Sequence, residues 1–82
     1  MSKALNPRRV SVTEANEFGI ALYSTWFSTE SKKNVMVIER TCDIDYCLRF
    51  RIACFEDQAA ADVHPADFIR WITEGKYRRI FK

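Results

Sequence analysis

From Tyr46 to Cys54 the sequence alternates. Tyr46, Leu48, Phe50, Ile52 and Cys54 fall on one side of an extended chain, and Cys47, Arg49, Arg51 and Ala53 on the other. A period of two over this length predicts a strand with one face to bury, and a strand needs a partner to do so. Residues 35–42, Val-Met-Val-Ile-Glu-Arg-Thr-Cys, supply it, because branched side chains favour a pleated surface. Asp43-Ile-Asp-Tyr46 reads as the turn between them. In that hairpin Cys42 lies nearly opposite Cys47, and Glu39 comes near Arg49 or Arg51 for a cross-strand ion pair.

A hairpin alone is marginal in water, so it has to lean on other elements. Ser11-Val12-Thr13-Glu14 has the form of a capping box, and Ala15, Phe18, Leu22 and Trp26 follow at helical spacing, with Gly19, Tyr23 and Phe27 on the adjoining stripe. Gly19 opposes a continuous helix by about 1 kcal/mol relative to Ala. The aromatics of residues 18–27 also suit a strand, so this stretch stands between helix and strand. A second helix starts at His64-Pro65-Ala66-Asp67, where Pro65 suits the first helical position, His64 the cap and Asp67 the positive end of the helix dipole. Phe68, Trp71 and Ile72 form its apolar stripe with Ile69 beside them, and Gly75 stops it. Residues 56–62 read as a short helical turn, residues 1–10 as a basic arm, and residues 76–82 as a basic aromatic tail or short strand.

The predicted fold is therefore one small α+β domain over residues 1–82. Its order is helix, β-hairpin, helix, with a two- or three-stranded antiparallel sheet packed on the helices. The expected core is Phe18, Leu22, Trp26, Val37, Leu48, Phe50, Ile52, Phe68, Trp71 and Ile72. With 82 residues, 48% of them hydrophobic, the chain has room for one core and no second domain. No apolar run is long enough for a membrane span, and the first residues do not read as a secretion signal, so a soluble, cytoplasmic protein is expected.

Three cysteines, Cys42, Cys47 and Cys54, make an odd count without a secretion signal, so reduced thiols are expected rather than a disulfide framework. A zinc site is not expected either. The cysteine spacing is not that of paired ligands, and Cys47 and Cys54, seven apart on one strand, read as facing opposite sides. Catalysis would have to start from Cys54, the single histidine His64 and a carboxylate such as Asp62 or Asp67. But His64 precedes Pro65, where a capping role suffices, and the chain leaves little room for a pocket. Two glycines cannot build a phosphate-cradling loop, so no cofactor and no metal are expected.

Charge is distributed unevenly. Residues 1–13 hold Lys3, Arg8 and Arg9 and residues 76–82 hold Lys76, Arg78, Arg79 and Lys82, without an acid in either stretch, while the middle holds all eleven acids against six bases. These ends either fold back on the acidic middle or meet an anionic partner such as nucleic acid, with Tyr77 or Phe81 stacking on a base. The element order partly resembles the double-stranded-RNA-binding domain, but no third strand is evident before Pro65, and KH and RRM motifs are missing. Eleven aromatics exceed what so small a core must hide, which leaves Tyr23, Phe27, Tyr77 and Phe81 as candidates for exposure beside arginines, the composition of interface hot spots. In style, and by no matched motif, such a domain resembles the inhibitors and adaptors that phages and other mobile elements encode. The sequence thus points to a non-enzymatic binding module that occupies a protein partner's surface through Arg8, Arg9, Tyr23, Phe27, Lys76, Tyr77, Arg78, Arg79, Phe81 and Lys82. Nucleic acid is the alternative partner, and homodimerisation through residues 35–42 as an open strand edge is a further one.

Overall fold

A computed structural model describes residues 9–80. The elements in chain order are β1 (Val10–Ser11), α1 (Val12–Glu17), β2 (Thr25–Ser28), β3 (Lys33–Cys42), β4 (Tyr46–Cys54), β5 (Ala59–Val63), α2 (Pro65–Thr73) and β6 (Tyr77–Ile80). Strand makes up 47% of the structure and helix 21%, which overturns the expected helix, hairpin, helix arrangement. The hairpin is there, β3 against β4, but it is the centre of a six-stranded antiparallel sheet ordered β1-β4-β3-β2-β6, with β5 also paired to β4. Of the expected open edge over residues 35–42, Val35 and Met36 are taken up by β2, while β4 pairs the strand from Met36 to Cys42 on its other side.

The extra strands come from segments whose local signals were weak or mixed. Ser11 caps α1 as its capping-box position predicts, accepting from the Glu14 N–H at 3.0 Å. The helix then stops after a turn and a half, because Gly19 takes a left-handed φ of +79°. The aromatic stretch beyond it stays irregular through residue 24 and becomes β2 only from Thr25, so residues 13–28 are neither one helix nor one strand. Ala59–Val63 forms β5 where a helical turn was expected: alanine favours helix, but the backbone groups of β4 offer a ladder from Phe50↔Val63 to Cys54↔Ala59. Val10, assigned to an arm, is fully buried in β1 opposite Cys47.

One face of the sheet carries the core. Helix α2, capped by His64 through Nδ1 accepting from Ala66 N–H at 3.1 Å, crosses this face on its way from β5 to β6. Its Phe68 is fully buried among Trp26 (ring centroids 5.3 Å), Phe50 (6.4 Å), Trp71 (6.5 Å) and Tyr77 (5.1 Å). Val10, Ala15, Ile20, Val35, Val37, Cys47, Val63 and Ile69 complete the cluster, with Phe18, Ile52, Trp71 and Ile72 packed at its margin.

Two expected core residues lie outside it: Leu22 is 46% and Leu48 52% exposed. Leu22 sits in the irregular link after α1. Leu48 is extruded by the register: Thr41 pairs with Arg49 but Cys42 with Cys47, leaving Leu48 as a bulge. A second shift, between Val37 and Glu39, sets Ile38 out of register on β3. The bulge at Leu48 also puts Cys47 on the core face with Phe50, Ile52 and Cys54. Cys47 and Cys54 therefore face the same side at opposite ends of β4, contrary to the simple alternation.

Arg79 of β6 reaches across the core face to close the α1–β2 link, its guanidinium donating to the Gly19 carbonyl at 2.7 Å and lying 5.7 Å from the Trp26 ring centre. A Cβ on Gly19 would stand 2.6 Å from that guanidinium, whereas Gly75, also left-handed at φ +83°, has nothing within 4 Å. Replacing either by Ala costs about 1–2 kcal/mol for the backbone alone. Gly19→Ala additionally displaces Arg79, so its Tm should fall further than that of Gly75→Ala, which thermal unfolding of the two variants measures directly.

Candidate interaction surface

The sheet register builds a second surface on the side away from α2. Cross-strand partners share a face, so the pairs Thr25↔Ile80, Thr25↔Met36, Met36↔Ala53 and Ala53↔Ala60 line up Ile80, Thr25, Met36, Ala53 and Ala60 across β6, β2, β3, β4 and β5. Beside this apolar row, Phe27 stands opposite Arg78 and Asn34. On its other side Glu39, Arg51 and Asp62 form a charged row, followed by Thr41 and Arg49. Helix α2 packs on the other side of the sheet, and Ile80, Met36 and Phe27 are half-buried, while Arg78 is exposed.

The charged row is organised around Asp62, whose carboxylate takes the Arg51 guanidinium at 3.1 Å and that of Arg49 at 3.5 Å. The pairing of these arginines with Glu39 expected from sequence is thus displaced: Glu39 and Arg51 are register partners, but the ion pairs run to β5, a strand the sequence did not reveal. All three groups are substantially exposed, so each pair contributes at most about 1 kcal/mol. They place two guanidinium groups beside the apolar row.

The residues singled out in the sequence fall in different places. Arg8, Phe81 and Lys82 lie outside the described residues. Arg9 lies over the Tyr46 ring at 5.0 Å. Lys76 stands between Glu74 at 3.5 Å and Glu30 at 3.7 Å. Arg79 is turned into the core face, and Tyr77 packs half-buried on Phe68 and Trp71. Tyr23 is 65% exposed at a left-handed turn residue, φ +69°, in the link before β2. Of the described ones, only Phe27 and Arg78 meet on the helix-free face. Met36, Ile80, Arg49, Arg51 and Asp62 join them there and do not read as interface residues in the sequence, since what assembles them is strand order, which no local pattern encodes.

A second cluster closes the β3–β4 hairpin. The Cys42 and Cys47 sulfurs are 2.9 Å apart, and Arg40 donates from Nε to Cys42 Sγ at 3.2 Å and from its Nη1 to the Ile20 carbonyl at 3.0 Å. All three cysteines are free thiols. Among the described residues, no three His, Cys, Asp or Glu side chains converge as metal ligands would, and no helix is long and apolar enough to cross a membrane. Comparison with known protein families, curated proteins and solved structures finds no match for this chain.

Burial first, then the hydrogen bond with Cys42, pushes the Cys47 thiol from an ordinary 9.0 up to about 11. A thiol whose pKa is raised on folding contributes stability that is complete below its unfolded value and lost as pH climbs to the folded one. Under reducing conditions, Tm should therefore decline between pH 9.0 and about 11, and decline less steeply in Cys47→Ala. Parallel slopes for the two proteins would show that Cys47 carries no such linkage.

Proposed function

We propose that this chain is a non-enzymatic binding module, an inhibitor or adaptor that occupies the surface of a protein partner through the helix-free face of its sheet. The observation that supports a protein partner over nucleic acid is the engagement of the described basic ends. Arg9 covers an aromatic ring, Lys76 sits between two carboxylates and Arg79 is committed to the Gly19 carbonyl and Trp26. Phosphate binding depends on the number of cations free to neutralise it, and falls with each one diverted. The face that remains mixes an apolar row with Phe27, Arg78, Arg49 and Arg51 and the acids Glu39 and Asp62. Apolar centre, aromatic and arginine anchors and both signs of charge are the ingredients of a protein interface rather than a phosphate track.

The test has two arms. Fluorescence anisotropy with labelled single-stranded DNA, duplex DNA and RNA, at low and physiological salt, should show no binding. Affinity capture on the immobilised full chain should retain proteins that are lost with Met36→Glu and with Arg78→Glu, both folded by circular dichroism, because each change alters the face without touching the core. Micromolar binding to a nucleic acid that weakens steeply with salt would overturn the reading in favour of the alternative partner, as would capture indifferent to both variants.

A further inference from the structure

We propose that Cys42 and Cys47 are a reversible thiol–disulfide pair, a redox modification site that reacts with small-molecule disulfides of the glutathione class. The proposal is independent of the binding face and rests on the hairpin's geometry. Cys42 and Cys47 are register partners, and the neighbouring Asp43 N–H closes the turn onto the Tyr46 carbonyl at 2.7 Å. That bond makes Cys42 and Cys47 a pair of the non-hydrogen-bonded kind, whose Cα atoms approach to about 4.5 Å. A disulfide bridges such a pair without backbone movement. The bulge at Leu48 is what brings it about: with the uninterrupted register of Thr41↔Arg49, Cys42 would stand opposite Leu48 instead.

The two thiols are differentiated. Cys42 is exposed and Cys47 is 3% exposed under β1, so an oxidant in solution meets Cys42 first. Arg40 fixes a guanidinium 3.2 Å from the Cys42 sulfur, and its second contact, to the Ile20 carbonyl, keeps that charge in place. A donor held there stays in contact with the sulfur that reacts. The Cys42 thiolate attacks one sulfur of the small disulfide, forming a mixed disulfide and releasing one thiolate, which takes up a proton. Cys47 then gives up its proton to solvent and its sulfur, 2.9 Å away, attacks Cys42 Sγ, expelling the second small thiolate. Two protein thiols and one small disulfide become one protein disulfide and two small thiols, and excess small thiol reverses the sequence. Cys54 takes no part: seven residues along the strand from Cys47 place it roughly 23 Å away, where it serves as an internal control.

The experiment equilibrates the full chain in glutathione and glutathione disulfide, quenches with acid, alkylates the remaining thiols and maps them by mass spectrometry, in buffer and in concentrated urea. The expected result is a Cys42–Cys47 disulfide with Cys54 alkylated, and an effective concentration for the pair at least about tenfold higher folded than unfolded, equivalent to about 30 mV. Cys47→Ser should stop at a glutathione adduct on Cys42. Equal effective concentrations in buffer and urea would overturn the proposal, as would adducts accumulating on Cys54 in place of Cys42.

Discussion

The structure depends on one side chain more than any other, Phe68. It is the single α2 residue in ring contact with β2 through Trp26, with β4 through Phe50 and with β6 through Tyr77, besides Trp71 on its own helix. Edge-on and tilted ring pairs of this kind contribute about 0.5–1.5 kcal/mol each beyond their burial. The connection from β5 to β6 has to pass from one side of the sheet to the other, and α2 makes that crossing over the core face. Arg79 reinforces the arrangement from β6, tying that strand to the end of α1 sixty residues away in the chain. Among the described residues one helix is long enough to cover a sheet, so one face is covered.

The opposite face follows from that economy. Side chains at alternate positions of the same strands, Met36 between Val35 and Val37 or Ile80 after Arg79, point away from α2 by the pleat alone. The apolar row and the charged row are therefore by-products of strand register that become a surface. The same geometry reassigns the basic residues. Arg79 and Lys76, which in sequence belong to a cationic tail, act in the fold as ties between β6 and its surroundings, and of the described tail residues only Arg78, one pleat out of phase with Arg79, is delivered to the face with Phe27.

The legible parts of the sequence were those governed by neighbours along the chain. The Ser11 cap, the Gly19 interruption, the His64-Pro65 start of α2 and the bounds of β4 each follow from local chemistry, and each stands where its residues put it. What escaped depended on partners distant in sequence. Ala59–Val63 has a helix-prone composition and is a strand because β4 offers it a ladder. Val10 is buried because Cys47 lies across from it. Leu48 is exposed because one residue too many separates Arg49 from Cys47, and a perfect alternation cannot announce its own bulge. Of the interaction surface, Phe27 and Arg78 were singled out for composition alone. Met36, Ile80 and the Arg49–Arg51–Asp62 set became visible only with the strand order.

Among the described residues, α2 packs on one face of this sheet and no helix packs on the other. Solvent paramagnetic relaxation of the methyl groups, measured by NMR with a soluble gadolinium chelate, tests it most directly. Met36 and Ile80 should relax markedly faster than Val35, Val37 and Ile20, although Met36 is flanked in sequence by two of the protected residues. Equal protection of Met36 and Val37 would contradict the account, since it would mean that a second layer, from this chain or from another copy of it, covers the face that α2 leaves bare.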